Sequence, residues 1–459
     1  MEVFPLRRFY LLPAAVILVA GGFTRAEAPR PSLYDKDPQH LWNRLYSALM
    51  MAAPEGESTP ADLLDPQSRD LLVDGAGNRV AVALLREFVM GGPRPETLSV
   101  LQRAVMQRDM LAVFHLVAHR DGPGVPGKAW TAPERELSAA LALAIRHVAL
   151  TAEEIRKLPD NYAAAAGALD AVTAYDRARP GPFLPKDLLA DDGPWIALGA
   201  KGKSNGSVAG FHFEVFRGRT SFEVRMRHPE GRAAGEAYLK ALAGMPDPWV
   251  QQESLEAAEL KPNGPRGTPW PNPQTPQFPV GTMWALVRRS MLVDVTGKLV
   301  VSPLVESVQI RVYRAVSGDA ALQSPEFKAE AKALEEGKRK GDFDELLAEH
   351  YQTAFEWEMQ RALLLGKGGF HLTGPEDLPY SRFVTHGARP IAGFCMQCHS
   401  PPGIHSVQSR ARLFSEALAR PPEFEPTNRE GLDRVTVHEA RRNPGWVLLQ
   451  WLWQEQPGR

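Results

Sequence analysis

Over the first third of the chain the apolar residues recur at helical spacing. Leu41, Leu45 and Leu49 form one stripe, Leu98, Leu101, Val105 and Leu111 to Val117 a second, and Leu137, Leu141, Ile145 and Val148 a third. A period near 3.6 predicts helices from about Asp37 to Tyr175, and Thr151-Ala-Glu-Glu has the form of a capped helix start. Pro180, Pro182, Pro185 and Pro194 interrupt this pattern, and beyond them the period changes to two. Residues 208 to 228 alternate around Arg217-Gly218 and predict a β-hairpin; Met283 to Val312 predict a second strand group, with Asp294 to Lys298 as its turn. Between them lie a predicted helix from Arg232 to Leu242 and a loop, Pro262 to Pro279, whose seven prolines favour extended surface chain. Helical signals return from Ser324 to Leu365, and the chain ends in an indole-rich amphipathic segment, Trp446 to Trp453. The pattern predicts an α+β, mostly helical fold: a helical domain over 27–190, a small α+β region with antiparallel strands over 191–323, and a helical C-terminal domain over 324–459.

The start of the chain follows a different rule. Arg7 and Arg8 precede an apolar run from Phe9 to Phe23 and the small-residue segment Thr24-Arg25-Ala26-Glu27-Ala28, the layout of a secretory signal peptide over 1–26. Cleavage after Ala26 is favoured over Ala28, because the latter puts Pro29 just past the cut. The apolar run, interrupted by Pro13, falls short of the ~20 residues that span a bilayer, and the segment has no cysteine to carry a lipid. These features predict a periplasmic or secreted protein, exported by general secretion, with no integral membrane span once the signal is removed.

Charge narrows the partners. The 53 basic and 54 acidic side chains leave a formal net charge of −1, so no global field draws nucleic acid or an anionic membrane. Gly202-Lys203-Ser204 lacks the earlier glycine of a phosphate loop, since position 197 is Ala197. His115 and His119 share a helix face at a metal-ligand spacing but have no third ligand beside them, which suits a core or surface role.

The chain's two cysteines are Cys395 and Cys398, and His399 follows them: Cys-Met-Gln-Cys-His, once, with no thiol elsewhere. This is the attachment signature of haem c. Two thiols at this spacing add to the porphyrin vinyl groups as thioethers, and the adjacent imidazole reaches the iron as proximal ligand. An exported chain normally acquires structural disulfides, yet these two cysteines could staple only their own turn. Ser400-Pro401-Pro402-Gly403 then ends any helix through the motif.

On these residues the last quarter of the chain resembles a c-type cytochrome. The resemblance implies a C-terminal helical, cytochrome c-like haem domain with one covalent haem c on Cys395 and Cys398, His399 on the iron, single-electron transfer and a redox partner protein. The chain departs from the commonest small cytochromes c in having no methionine after Met396, which leaves the sixth iron ligand open. His386, His405 and His438 are the candidate histidines, with His371 also near; an upstream methionine, Met359, or an open site are the other options. An open site would suit a peroxidase-like enzyme, although no paired acid/base constellation stands at clear spacing. Arg389 and Arg410, with Arg382 and Arg412, flank the motif and are candidates to pair with haem propionates.

Two other chemistries fit the cysteines less well. A zinc site would draw on Cys395, Cys398 and one or two of His399, His405 and His438, but a histidine directly after the second cysteine is poorly placed for a tetrahedron. A dithiol redox motif would follow a strand in a thioredoxin-like unit, whereas a Pro/Gly loop precedes this one.

Overall fold

The computed structural model describes residues 34–50, 76–92, 94–118, 131–168, 182–200, 208–209, 212, 220–245, 249–251, 269–272, 274–317, 322–338, 346, 349–359, 369–372, 399, 402–408 and 424–455. The expected signal peptide therefore lies outside the described residues.

The N-terminal third is helical, as its periodicity predicts. Helices α1 (Leu41–Met50), α2 (Ala76–Met90), α3 (Val100–Ala118), α4 (Ala132–His147), α5 (Ala152–Arg156) and α6 (Asn161–Ala168) follow one another. Thr131 and Thr151 each cap their helix and form a capping box with the glutamate three residues on, Glu134 and Glu154. Each box satisfies two amides that the first turn leaves without partners. Leu41, Leu45, Leu111, Val113, Leu137, Leu141 and Ile145 form one buried core with the C-terminal helix α11 (Pro444–Glu455), through Trp446 and Leu449.

The remainder is organised by one antiparallel sheet. Its strands are β1 (Trp195–Ala200), β2 (Thr220–Arg227), β5 (Met283–Val293), β6 (Leu299–Tyr313), β7 (Gln352–Met359), β8 (Phe370–Leu372) and β9 (Phe424–Thr427), in the spatial order β8-β7-β6-β5-β2-β1-β9. Helix α7 (Arg232–Ala243) follows β2, and β3 (Trp249–Gln251) pairs with β4 (Pro269–Pro271) in a separate ribbon. The C-terminal part adds α8 (Pro325–Glu335), α9 (Ile404–Gln408) and α10 (Arg429–Ala440).

This sheet overturns one expectation. Residues after 324 do not build a helical haem domain: β7, β8 and β9 belong to the same sheet as β1 and β2. The segment Gln352 to Met359, expected as helix, alternates Phe355 and Trp357 on one face with Gln352 and Glu356 on the other, and it pairs with β6 over seven residues. Local helical spacing loses here to the edge of a long strand that offers a full ladder of hydrogen bonds. The expected hairpin over 208 to 228 is also corrected, because β2 pairs with β1 and β5 and His212 has helical backbone. The second expected hairpin forms: β5 and β6 pair from Met283↔Val312 to Val293↔Leu299 around Asp294 to Lys298.

The sheet is buried on both faces. On one, Met283, Ala285, Val287, Val308, Ile310, Val312, Phe355 and Phe370 pack with Tyr162 of α6 and with Phe183, Leu184 and Leu188. On the other, Ile196, Leu198, Met226, Trp284 and Tyr313 pack with Leu239 and Leu242 of α7 and with Phe278, Ile404 and Phe424. Irregular register around Arg289 bends β5 and β6, as β-bulges do, and carries Met291 to Val293 into the helical core. Gln107 of α3 seals that junction by donating to the Val293 carbonyl at 3.0 Å and accepting from its amide at 3.0 Å. No described helix is long and apolar enough to cross a membrane.

Candidate functional site

The site lies on the sheet face that carries Trp284 and Tyr313. Its floor comes from the register: Trp284 pairs with Arg311, Leu286 with Gln309, and Tyr313 with Gln352, so Gln309, Arg311, Tyr313 and Gln352 share one face. Two histidines stand near this floor: His212, which Arg311 is close enough to influence, and His399, whose carbonyl meets Gln352, with the α9 turn following it and meeting Tyr313.

The turn after His399 needs its glycine. Gly403 has φ +57°, a left-handed conformation, and a Cβ there would collide with the Gln277 side chain. Gln277 Oε1 in turn accepts from the Ile404 amide at 2.9 Å. Ile404, fully buried, anchors α9 against Tyr313 and Phe278. The Tyr313 and Ser406 hydroxyls hydrogen-bond directly. The chain thus doubles back and places the Ser406 carbonyl oxygen 2.6 Å from His399 Nδ1.

That contact assigns the imidazole. A carbonyl only accepts, so Nδ1 carries the proton, and the neutral ring then has its lone pair on Nε2. This is the usual way in which a metal-ligating histidine is oriented. Gln352 Nε2 donates to the His399 carbonyl at 2.5 Å and fixes the backbone of the same residue. These contacts fit an imidazole that ligates iron through Nε2.

His212 stands beside it. The two rings are nearly parallel, with an interplanar angle of 10° and centroids 6.2 Å apart, and His212 also lies 5.7 Å from the Phe222 ring. Burial, reinforced by the Arg311 guanidinium, lowers the His212 pKa to about 4. The ring is therefore neutral at neutral pH, the form that can bind a metal.

Arg311 is the third component. Five arginines are buried among the described residues: Arg108, Arg225, Arg288, Arg289 and Arg311. Four have carboxylates. Arg108 and Arg288 share Glu306, at 2.6 and 3.5 Å; Arg225 pairs with Glu223, and Arg289 with Glu223 and Asp433. Arg311, only 6% exposed, instead donates to amide oxygens, to Gln309 Oε1 at 2.9 Å and to Gln352 Oε1 at 3.4 Å. Glu356 accepts from Gln309, at 3.4 Å, and Arg311 has no ion pair among the described residues; a buried cation in that position is costly unless an anion answers it, and a haem propionate is such an anion.

The other sequence-derived candidates fall as follows. Cys395, Cys398, His386, Arg389 and Arg410 lie outside the described residues. His405, on α9, is desolvated, which lowers its pKa, and its Nδ1 has no hydrogen-bond partner among the described residues. His438 is exposed on α10, and His371 falls in β8. Met359 packs with Phe355 and Phe370 on the opposite face of the sheet. Two of the three C-terminal indoles serve the helical core: Trp446 sits 4.5 Å from the His115 ring, and Trp453 donates to the Ala142 carbonyl at 2.7 Å, while Trp451 is exposed. His119 lies outside the described residues.

His212, Arg311, Gln352 and Ser406 were not legible as site residues. His212 sits in an alternating Phe-His-Phe-Glu-Val run that reads as ordinary strand, and no spacing rule connects it with position 399. Arg311 carried one signal, a charge set between Ile310 and Val312 in a run that reads as strand. Compared with known protein families, curated proteins and solved structures, the chain matches none.

Proposed function

We propose that the protein is an exported monohaem c-type cytochrome that transfers single electrons to and from a redox partner. Cys395 and Cys398 would carry haem c as thioethers, and His399 would bind the iron. The observation that supports this reading best is the hydrogen bond from His399 Nδ1 to the Ser406 carbonyl at 2.6 Å, which leaves Nε2 as the ligating atom of the residue that closes the Cys-Met-Gln-Cys-His motif.

When bound, haem c supplies a one-electron couple at iron. The residues around it have simpler tasks. Ser406 and Gln352 hold the orientation of His399, and the Tyr313 hydroxyl braces Ser406. Arg311 offers a buried positive charge to a propionate. Ile404, Phe278 and Trp284 exclude water beneath the turn, and a dry surround tunes a haem potential. Export belongs to the same reading, because haem c is attached outside the cytoplasm and residues 1–26 have the layout of a signal peptide.

The test is chemical. The chain is expressed in a host that carries haem c maturation machinery, and a denaturing gel is stained for haem. The expected result is a stained band with the pyridine haemochrome spectrum of a haem c, abolished in C395S/C398S. A wild-type protein that is folded but unstained would overturn the proposal.

A further inference from the structure

We propose that His212 is the sixth ligand of the haem iron, opposite His399. This rests on haem c attachment at Cys395, Cys398 and His399. The argument is geometric. A bond from a metal to an imidazole nitrogen is about 2 Å, and that nitrogen lies roughly 1 Å from its ring centroid. Two imidazoles on opposite sides of one metal ion therefore hold their centroids about 6 Å apart. The His212 and His399 centroids are 6.2 Å apart and their planes 10° from parallel. An offset pair of core histidines is the competing explanation of this distance.

The surroundings favour a ligand. Nδ1 of His399 is committed to the Ser406 carbonyl, so the coordinating atom on that side is Nε2. Arg311, close enough to His212 to act on its charge, forms no ion pair among the described residues, Glu356 accepting from Gln309 at 3.4 Å, which suits a ligand bearing its own anions. Among the histidines nearer the motif, His405 lies on the same turn as Ser406, whose carbonyl holds the proximal ring, and His438 is exposed on α10. His212 comes from a distant part of the chain. Two imidazoles also define the chemistry: iron ligated in this way resists small ligands and has a lower potential than with histidine and methionine.

The experiment uses the holoprotein. Wild type is expected to give a low-spin ferric electron paramagnetic resonance signal and, once reduced, to bind no carbon monoxide. In H212A the low-spin signal is lost, carbon monoxide binds, and added imidazole restores the low-spin spectrum. H212M, which keeps the volume and offers a thioether, is expected to raise the reduction potential. H386A, H405A and H438A should each keep the wild-type spectrum. Loss of the low-spin signal in any of these three overturns the assignment, even if both His212 variants fail to fold. So does an H212A spectrum like that of wild type, or a wild-type protein that is high-spin and binds carbon monoxide; in each of these cases the haem stain stays positive and the cytochrome reading stands. A wild-type protein without covalent haem removes both.

Discussion

Few residues orient the candidate ligand, and each can be tested singly. Gly403 combines a left-handed backbone with a neighbour, Gln277, that occupies the space of a side chain. Gly403→Ala is expected to cost about 1–3 kcal/mol, read as a shift in the urea midpoint, and to lower the yield of covalently loaded protein because the Ser406 carbonyl would move. Tyr313→Phe removes one hydroxyl from a buried pair and leaves Ser406 Oγ without its described partner. A loss of about 1–3 kcal/mol is expected, in a folded protein that still stains for haem. An unchanged midpoint in either variant would mean that the turn is held by other contacts.

At the scale of elements, the β5–β6 hairpin and the C-terminal helix make separable predictions. Asp294 opens the hairpin turn. Burial pushes its pKa up, but hydrogen bonds from the Thr296 hydroxyl, at 2.6 Å, and from the Lys298 and Thr296 amides, at 2.9 and 2.8 Å, outweigh it and leave the pKa lowered. A carboxylate whose folded pKa lies below its unfolded value stabilises the protein above the unfolded value, near 3.8, and that contribution disappears as the pH falls through the folded pKa. Asp294→Asn is expected to destabilise the protein at pH 7 and to narrow the gap to wild type below about pH 3, measured by denaturant unfolding at both pH values. Trp446, 1% exposed, fills the junction of α11 with α3 and α4. Trp446→Ala should cost about 3–5 kcal/mol without moving the haem spectrum, since its ring partner is His115. A spectral change of the size expected for H212A would show that α11 and the site are coupled.

For the whole molecule, the sheet decides where distant segments meet. It joins strands from Trp195 to Thr427, and near it His212 and His399, far apart in sequence, come together. Covalent attachment at one and ligation at the other would cross-link chain far apart in sequence, which stabilises the folded state by restricting the unfolded one. The haem-free C395S/C398S protein is therefore expected to melt below the holoprotein, by a margin that shrinks in H212A.

What the sequence determined by itself is local. Helix starts at Thr131 and Thr151, the β5–β6 turn and the Cys-Met-Gln-Cys-His motif depend on neighbouring residues, and short-range hydrogen bonding and bond geometry specify them without reference to the rest of the chain. What only the tertiary structure decided is non-local. Residues 352–359 became strand because β6 offered them a ladder, and Arg311 and Gln352 reached one face through a register that no single segment encodes. His212 came to stand 6.2 Å from His399 by the same route. A pairing between distant segments is chosen by the burial of both sheet faces together, a property of the assembled core that leaves no periodic trace in either segment.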